Sequence, residues 1–396
     1  MAVGIIAEYN PFHLGHQYQI TEVRKRFLDE EILVLMSGNF SQRGEPTILD
    51  KWTRARLAVE GGADLVLELP FVFAVRSAEN FARGAIKILS ELKVIDKLAF
   101  GAEISDLKIL QDIAEINLAD KIKSEMSKGI SYAAAAQKIL QVEMLPNTIL
   151  AVEYLRALPK KISPILIPRV GANYHDKSLQ KFSSASAIRT EVYKKNPAWE
   201  KLSQAVNEKV FNALQTEKNE GLVREDFLFR LLLQKIFTTS PKAAKKIVGM
   251  NEGLENLIFK SAKTAKNFSD FVEKITNRRY QTSRVKRLLI YFLLEVEEIF
   301  SAEYVRVLAF NQRGQNLLKK ISQSSSLPIV TKVTQHLTEK IFLQKKFDAD
   351  YKKNLSLDIA ATNLRNILFD TPKSFGQDFC TSPIKISTNH SANFAE

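Results

Sequence analysis

Short apolar segments alternate with helix-compatible stretches through the first hundred residues. They begin about 30 residues apart and read VGIIA (3–7), ILVLM (32–36), DLVLEL (64–69) and KLAF (97–100). This alternation is typical of βαβ units, whose parallel sheet is buried on both faces. A fifth strand is predicted at SPILIP (163–168). The pattern therefore predicts an α/β fold built on a parallel sheet.

The stretch PTILDKWTRARLAVEGG (46–62) illustrates the helices between these strands. Thr47 is predicted to cap the start of the helix, because Asp50 follows it at the three-residue spacing of a capping pair. Gly61–Gly62 is predicted to end the helix. Other helices are predicted within residues 106–157, the last of them beginning near PNTILAVEYLRAL (146–158).

From about residue 183 the alternation gives way to helices. In VKRLLIYFLLEVEEIF (285–300), apolar residues recur with helical spacing, which predicts a helix that faces a core. Two more strands, YVRVLAF (304–310) and LPIVTKV (327–333), are predicted to flank the helix GQNLLKKI (314–321). This small α/β element interrupts an otherwise helical region.

Three regions are predicted along the chain. Residues 1–195 form the α/β domain, and residues 196–370 form a mostly helical region that contains the small α/β element. Residues 371–396 are rich in Ser, Thr and Asn and lack periodicity, which favours a poorly ordered tail.

The composition is that of a soluble globular protein. Its 396 residues suffice for two or three domains, and 45% hydrophobic with 26% charged residues is ordinary. No run approaches 18 uncharged apolar residues, and the N-terminal apolar run lacks a basic region, so neither a membrane span nor a signal peptide is expected. The single cysteine, Cys380, excludes an intrachain disulfide and a zinc site with paired thiolates. A cytoplasmic setting is expected.

The net charge of +13 is concentrated in the second half of the chain. Residues 1–200 carry 26 Lys and Arg against 24 Asp and Glu, a balance of +2, whereas residues 201–396 carry 31 against 20, a balance of +11. Solubility alone could explain an excess of this size. Because the excess is confined to one half, a polyanionic partner such as nucleic acid is favoured.

The segment EYNPFHLGH (8–16) contains two of the five histidines and lies between the first predicted strand and a helix predicted from about Gly15. A loop from a parallel strand into a helix N-terminus lies at the edge where such sheets bind ligands, and its free N–H groups favour phosphate. Gly15 would let phosphates approach the backbone because it has no Cβ. His13 and His16 could donate hydrogen bonds to oxygens that gain charge as a nucleophile attacks the α-phosphorus. A carboxylate nucleophile would need no base.

Two other readings of the histidines stay open. As metal ligands at i, i+3 they supply two donors with no evident third, so no metal site is predicted. Either one could also be a structural histidine whose ring nitrogens are satisfied within the fold.

The loop resembles the H-x-G-H signature of the adenylyl-transferring superfamily that includes class I aminoacyl-tRNA synthetases and cofactor nucleotidylyltransferases. Four longer segments, in order along the chain, are similar to the bacterial tRNA(Met) cytidine acetate ligase family. They are AVGIIAEYNPFHLGHQYQI (2–20), MSGNFSQRGEPTILDKWTRARLAVEGGADLVLELPF (36–71), RVGANYHD (169–176) and SSASAIR (183–189). The similarity extends from residue 2 to about residue 195, with a weaker echo at RVLAFNQRGQNLLKKI (306–321).

This resemblance implies a Rossmann-like parallel sheet of the nucleotidylyltransferase type and a mainly helical C-terminal region. It implies that ATP and acetate form acetyl-adenylate and pyrophosphate, and that the acetyl group then passes to N4 of the wobble cytidine (C34) of elongator tRNA(Met), giving N4-acetylcytidine. Mg²⁺ is expected with the ATP phosphates, held mainly by the nucleotide and water, because no carboxylate cage is visible. The oligomeric state is left open.

The resemblance also implies the site residues, with His13 and His16 as the catalytic pair. The ATP-binding positions are Ile6, Ala7, Glu8, Tyr9, Asn10, Pro11, Phe12, His13, Leu14, Gly15, His16, Gln17, Tyr18, Gln19, Gly101, Asn147, Arg169, Ser184 and Arg189. Gly101 could instead be a turn glycine, Asn147 or Ser184 only a helix cap, and Arg169 a surface charge. Thr148, where a second Asn is expected, and Ala102, where the family often has Ser, depart from the pattern.

The segment SGNFSQRGEP (37–46) follows the second predicted strand at the same edge of the sheet. Its polar residues Gln42, Arg43 and Glu45 could close over acetate or cytidine, or could merely order the loop. Beyond it, Lys51 and Arg54 could assist phosphate binding or belong to a solvated helix face. His175 and Asp176 receive no role.

The segment EKITNRRYQTSRVKRLL (273–289) combines cations with Tyr280, which suits phosphate contact and base stacking. The alternative is a solvated helix face. The predicted tRNA-binding residues are Arg278, Arg279, Arg284, Lys286 and Arg287.

Two other functions remain as alternatives to the ligase. A nucleotidylyltransferase that makes a dinucleotide cofactor usually needs only one compact α/β domain, so the basic helical half argues against it. A non-catalytic RNA-binding protein would not need His13, Gly15 and His16 intact. A class I synthetase is disfavoured, since neither an editing insertion nor a lysine-rich second signature is present.

Overall fold

The structure, a computed structural model, describes residues 1–115, 124–125, 135, 137–139, 143–169, 182–301 and 303–387. Over these residues the chain folds around one eight-stranded sheet. Its strands are β1 (Ala2–Ala7), β2 (Glu31–Ser37), β3 (Leu65–Leu69), β4 (Ile95–Phe100), β5 (Ser163–Leu166), β6 (Val305–Phe310), β7 (Ile329–Val330) and β8 (Ile384–Lys385).

The strand order is β5-β4-β1-β2-β3-β6-β7, with β8 beside β6. Strands β1 to β5 pair in parallel, whereas β6 runs antiparallel to β3. The predicted α/β fold with a parallel sheet is therefore confirmed. From β1 the chain moves outward through β2 to β3 and then returns to β4 on the other side of β1. Sheets of this kind bind ligands where the strand order reverses, which here is at the carboxyl ends of β1 and β4.

Helices cover the sheet and make up most of the second half of the described chain. They are α1 (Leu14–Arg26), α2 (Lys51–Glu60), α3 (Phe71–Ala74), α4 (Ala78–Glu91), α5 (Leu107–Glu115), α6 (Pro146–Ala157), α7 (Ala185–Val192), α8 (Trp199–Ser203), α9 (Glu208–Glu220), α10 (Glu225–Thr238), α11 (Pro241–Ala244), α12 (Leu254–Ala262), α13 (Phe268–Ile275), α14 (Thr282–Leu294), α15 (Gln312–Ser324), α16 (Glu339–Gln344), α17 (Asp350–Ile367) and α18 (Gln377–Cys380).

Strand β2 shows why the strands of this sheet have continuous apolar sequences. Leu33 and Leu35 pack into the hydrophobic cluster on one face, and Ile32 and Val34 pack into the cluster on the other. Because successive side chains of a strand point to opposite faces, a strand covered on both sides needs apolar residues at every position. The first of these clusters continues into α14 through residues such as Leu289.

Local details differ from the sequence prediction at two places. Helix α2 is capped by Asp50, which accepts hydrogen bonds from the N–H groups of Trp52 and Thr53 at 2.9 Å. Thr47 is instead fully buried and bonds to the carbonyl of Asn39, so the predicted cap was wrong. Only Ile329–Val330 of the predicted strand 327–333 pairs with the sheet, and a 3₁₀ turn follows at Val333–Gln335.

The C-terminal segment is the largest departure. Residues 371–387 include α18 and β8, so a poorly ordered tail is wrong for this part of it. Asp378 is buried and accepts a hydrogen bond at 2.7 Å from Lys51, and it also pairs with Arg306. These partners lie far apart in sequence, and a buried carboxylate requires such pairing. Residues 388–396 lie outside the described residues, and the predicted boundaries at 195 and 370 stay predictions.

Candidate active site

A cavity lies at the carboxyl ends of β1 and β4, where the strand order reverses. Its walls come from the loop after β1, the segments after β4 and β5, and the N-termini of α6 and α7. The predicted residues that line it are Ile6, Ala7, Glu8, Tyr9, Asn10, His13, Gly15, His16, Tyr18, Gln19, Gly101, Asn147, Arg169, Ser184 and Arg189. The fold thus brings nearly all of the predicted nucleotide residues to one place.

Four residues of the predicted loop, Pro11, Phe12, Leu14 and Gln17, do not line this cavity. Phe12 is fully buried in the hydrophobic cluster that packs α2 against the sheet. The N–H of Leu14 donates to Ala205 at 3.1 Å, and Gln17 accepts from Asn207 at 2.9 Å. These contacts anchor the stretch to the segment that connects α8 and α9.

His13 and His16 cap the N-terminus of α1 reciprocally. Nδ1 of His13 accepts a hydrogen bond from the N–H of Gly15 at 3.1 Å, and Nδ1 of His16 accepts from the N–H of His13 at 3.3 Å. This is the geometry of a capping box, with imidazoles in place of the usual hydroxyl and carboxylate. The two rings stack with their centroids 3.6 Å apart.

The cap determines which nitrogen of each imidazole carries the proton. A neutral imidazole has one N–H donor and one acceptor nitrogen, and here Nδ1 is the acceptor in both rings. Each histidine therefore presents an Nε2–H donor. Burial, with Arg169 nearby, lowers the pKa of His13 to about 3. Burial, together with the repulsion that Arg169 and a protonated His13 would exert, also lowers the pKa of His16 well below its ordinary value, so both rings are neutral at neutral pH.

Gly15 is required by the histidine cap itself. A Cβ at this position would lie 2.9 Å from Cε1 and 3.1 Å from Nδ1 of His13, which would displace the ring. The sequence prediction gave Gly15 a different reason, the close approach of phosphates. The structure adds a second reason: the packing of the His13 ring already requires glycine at position 15 when no ligand is bound.

The N-terminus of α7 borders the same cavity. Ser184 caps this helix by accepting from the N–H of Ala187 at 3.1 Å, and Ser184 also lines the cavity. Arg189 donates to the carbonyl of Asn10 at 2.7 Å and so ties α7 to the loop after β1. Two helix N-termini and an arginine therefore converge where an anion would be stabilised.

The other end of the cavity contains Gly101, Asn147 and Arg169. Gly101 has no left-handed backbone, and a Cβ there would make only ordinary contacts at 3.4 Å and longer, so neither a turn nor packing requires glycine. Asn147 is not the cap of α6, because that position is Leu145. Its Nδ2 donates to Glu103 at 2.6 Å.

The loop at residues 38–46 forms one rim of the cavity through Ser41, Arg43 and Glu45. Glu45 pairs with Lys286 at 2.8 Å and with Arg189 at 3.6 Å, and these charges hold the pKa of its carboxyl below the ordinary value although burial opposes them. Gln42 does not line the cavity, and its side chain donates to the carbonyl of Arg76, a contact that ties the loop to the rest of the protein.

Lys51 and Arg54 follow neither sequence reading. Both side chains are fully buried, which excludes a solvated helix face, and neither lines the cavity. Lys51 contacts Glu68 at 2.9 Å, while Arg54 donates to the carbonyls of Leu49 and Ser37 at 3.1 and 3.2 Å. Arg54 therefore supports the backbone of the loops at the sheet edge, whereas Lys51 neutralises a buried carboxylate of β3.

Some cations of the basic segment at residues 273–289 pair with acidic residues elsewhere in the protein. Arg279 pairs with Glu252 at 2.9 Å, and Lys286 pairs with Glu45. Tyr280 is buried and its hydroxyl donates to a backbone carbonyl, so it offers no exposed ring for base stacking.

Three arginines of this segment have no carboxylate partner among the described residues. Arg284 lies over the ring of Tyr280 at 5.1 Å, and Arg287 donates to the carbonyl of Gln42. The side chain of Arg278 is exposed and forms no ion pair or hydrogen bond with the described chain. Of the three, only Arg278 has an exposed side chain, whereas Arg284 and Arg287 are half-buried.

Sequence reasoning missed the apolar wall of the cavity and the support of Asn147. The wall residues are Phe81, Phe100, Leu150, Tyr154, Ile167, Pro168 and Phe182. Their sequence pattern is that of core residues, and only the structure, which places them beside the sheet edge, identifies them as lining the cavity. Glu103 follows Gly101 in the FGAE segment, so its position after a strand end was the one available signal. His175 and Asp176 lie outside the described residues.

The described part of the chain shows neither a cluster of metal ligands nor a membrane-spanning helix. Within it, no group of three or more His, Cys, Asp or Glu side chains is placed to hold a metal ion. None of its helices is both long and apolar enough to cross a bilayer.

Comparison with known proteins decides the family. The family described as HIGH Nucleotidyl Transferase matches residues 1–378. A tRNA(Met) cytidine acetate ligase of Thermoanaerobacter sp. (strain X514) is 36% identical over 97% of this chain and 99% of its own length. The enzyme of the same name from Halothermothrix orenii is 33% identical over 93% and 95%. This chain belongs to the tRNA(Met) cytidine acetate ligase family.

The fold of this tRNA(Met) cytidine acetate ligase family member agrees with solved structures. Thermotoga maritima TmcAL, crystallised with alpha-thio ATP, superposes with a TM-score of 0.85 at 32% identity, covering 98% of this chain and 100% of that one. The apo form of the same protein gives the same values. The resemblance deduced from the four sequence segments is thereby confirmed, as is the Rossmann-like α/β fold class.

Proposed function

We propose that this protein activates acetate with ATP and transfers the acetyl group to N4 of the wobble cytidine (C34) of elongator tRNA(Met), giving N4-acetylcytidine. One observation carries the proposal. His13 and His16 each engage Nδ1 in the backbone cap and present an Nε2–H donor at a helix N-terminus, in a cavity at the reversal point of the sheet. Donors so fixed suit phosphate oxygens and cannot serve as bases.

The first step would then need a nucleophile that carries no proton to be removed. An acetate oxygen attacks the α-phosphorus of ATP, the bond to the bridging oxygen breaks, and pyrophosphate leaves. The Nε2–H groups of His13 and His16 and the guanidinium of Arg189 stabilise the charge that develops on the phosphate oxygens. The N-termini of α1 and α7 hold the remaining phosphate charge.

The second step joins the acetyl group to the RNA. The lone pair of cytidine N4 attacks the acetyl carbon, the bond from that carbon to the phosphate oxygen breaks, AMP leaves, and the N4 proton passes to solvent. The rim formed by residues 38–46 is the side from which the cytidine would enter, since its Arg43 and Glu45 border the cavity and Lys286 of α14 holds Glu45.

Magnesium would reach the site with the ATP phosphates. The described residues offer no cluster of three or more protein ligands, so the ion would be held mainly by the nucleotide and water. No step of this proposal depends on a metal held by the protein.

The tRNA surface is proposed to include the basic segment, as the sequence predicted for Arg278, Arg279, Arg284, Lys286 and Arg287. The structure supports different roles within this set. Arg278, Arg284 and Arg287 lack carboxylate partners among the described residues and suit phosphate contact. Lys286 positions the rim, and Arg279 would have to exchange Glu252 for a phosphate.

The test has two assays of the purified protein, one with ATP, acetate and labelled pyrophosphate, and one with ATP, labelled acetate and unmodified tRNA. We expect acetate-dependent exchange of pyrophosphate into ATP, and labelled N4-acetylcytidine at the wobble position by mass spectrometry of tRNA fragments. Exchange with nicotinamide mononucleotide or phosphopantetheine in place of acetate would establish a nucleotidylyltransferase instead. Binding of tRNA without any exchange would establish a non-catalytic RNA-binding protein.

A further inference from the structure

Glu103 links the segment after β4 to the N-terminus of α6. Its Oε1 accepts a hydrogen bond from Nδ2 of Asn147 at 2.6 Å. Its Oε2 accepts from the N–H of Thr148 at 2.7 Å and from the hydroxyl of Thr148 at 2.9 Å. One carboxylate thus fixes both the backbone and two side chains at the start of this helix.

This arrangement determines the orientation of the Asn147 amide. An ionised carboxylate only accepts hydrogen bonds, so the branch of the amide that faces Glu103 must be the NH₂ group. The carbonyl branch, Oδ1, then points away from Glu103. Asn147 lines the cavity, and its Oδ1 accepts no hydrogen bond from the residues that the structure describes.

The surroundings of Asn147 suit a flat heterocycle. Gly101 contributes bare backbone to the same cavity, and the apolar side chains of Leu150 and Ile167 also line it. The histidines follow β1, and Gly101 follows β4, which pairs directly with β1. Because neighbouring strands lie about 5 Å apart, a nucleotide whose phosphates contact the histidines can place its base near Asn147.

We propose that Glu103 is a positioning residue that fixes Oδ1 of Asn147 as an acceptor for the 6-amino group of adenine. The inference rests on the ATP site of the proposed function. Guanine carries an oxygen at the same ring position, so two acceptors would face each other and the hydrogen bond would be lost. A site built to accept from a substrate amino group rejects an analogue that lacks it, because the buried acceptor is left unpaired. Glu103 would in this way select the nucleotide without touching it.

The test is direct binding of ATP and GTP to the full chain by calorimetry, without acetate or tRNA. The variant Glu103→Gln can accept or donate, so the Asn147 amide is free to turn over. We expect the ratio of the GTP dissociation constant to the ATP dissociation constant to fall about tenfold or more, as for the loss of one hydrogen bond to the base. The variant Asn147→Ala should lower the ratio similarly, and the double variant should lower it no further, because both changes remove one interaction.

The control separates this role from a structural one. Thr148→Val removes one hydrogen bond to Glu103 but leaves the bond to Asn147, so it should lower thermal stability with the ATP to GTP preference unchanged. An unchanged preference in both Glu103→Gln and Asn147→Ala would overturn the inference, as would a wild-type protein that binds GTP as tightly as ATP. The proposed function fails separately, if wild-type protein that prefers ATP shows no acetate-dependent exchange.

Discussion

The histidine loop (residues 8–16) and the basic segment (residues 273–289) both carry polar groups that the sequence assigned to ligands, but the fold uses them differently. In the loop, contacts with the backbone engage Nδ1 of His13 and His16 and leave the Nε2–H donors for the cavity. In the basic segment, long-range carboxylates engage Lys286 and Arg279. Internal contacts therefore orient the binding groups of the loop, whereas they remove some of the cations that the segment would offer to RNA.

The largest effect is expected from a change that removes a donor and keeps the cap. In His16→Asn, the side-chain oxygen can still accept from the N–H of His13, but the Nε2–H donor is lost. Acetate-dependent pyrophosphate exchange should fall on the order of a hundredfold to a thousandfold, as for other donors to developing charge. Thermal unfolding should change little. An exchange rate equal to that of the wild type would show that the loop does not act through this donor.

The neutral state of His13 predicts how stability depends on pH. Its pKa is about 3 in the folded protein, so between pH 6.5 and 3 the unfolded chain binds a proton that the folded chain does not. Stability should therefore decrease as pH falls below 6.5. The variant His13→Asn keeps a capping side chain and serves as the reference. Between pH 7 and pH 5 the free energy of unfolding of the wild type should fall by about 2 kcal/mol more than that of this variant. Denaturant unfolding of both proteins at the two pH values measures this difference, and identical losses would contradict the assigned charge state.

In the basic segment, Lys286 should act through the cavity rim. In Lys286→Met, Glu45 loses its nearer partner, and the rim that carries Arg43 is less well placed. We expect acetyl transfer to tRNA to fall about tenfold, as for loss of a half-buried charged hydrogen bond, with pyrophosphate exchange nearly unchanged. The salt dependence of tRNA binding should stay that of the wild type. A flatter dependence would instead assign Lys286 to a phosphate.

Arg278 lies in the same segment as Lys286 but has no ion-pair partner in the described chain, and its replacement should have the smallest effect. Its side chain is exposed and unpaired within the described chain, so Arg278→Ala should weaken tRNA binding only about threefold at moderate salt, with a salt slope lower by about one. Filter binding over a series of salt concentrations measures both quantities. Loss of pyrophosphate exchange in this variant would mean that the residue supports the fold rather than RNA binding.

The sequence could predict the sheet and the loop because both depend on short-range patterns. Apolar runs separated by helices identify β1 to β5, and a strand followed by His13, Gly15 and His16 places the loop at a sheet edge. Even there, the pairing of each Nδ1 with the backbone required coordinates, since it depends on the backbone angles of the cap.

What the sequence could not predict depends on contacts between distant segments. The carboxylates that engage Lys51 and Lys286 are Asp378 and Glu45, and no local pattern relates either pair. The same cause made residues 371–387 look disordered, because their apolar content is low and their stability comes from a buried ion pair with the core. Phe81 and Tyr154 were indistinguishable from core residues in the sequence. A side chain that lines a cavity and one that packs in the core both produce an apolar position on the buried face of an element.

The most direct test of the account is a crystal structure of this protein with a non-hydrolysable ATP analogue. The account predicts phosphate oxygens within about 3.2 Å of Nε2 of both His13 and His16, with each Nδ1 still bonded to the backbone. A nucleotide bound away from the loop after β1, or imidazoles turned so that Nδ1 faces the phosphates, would contradict it.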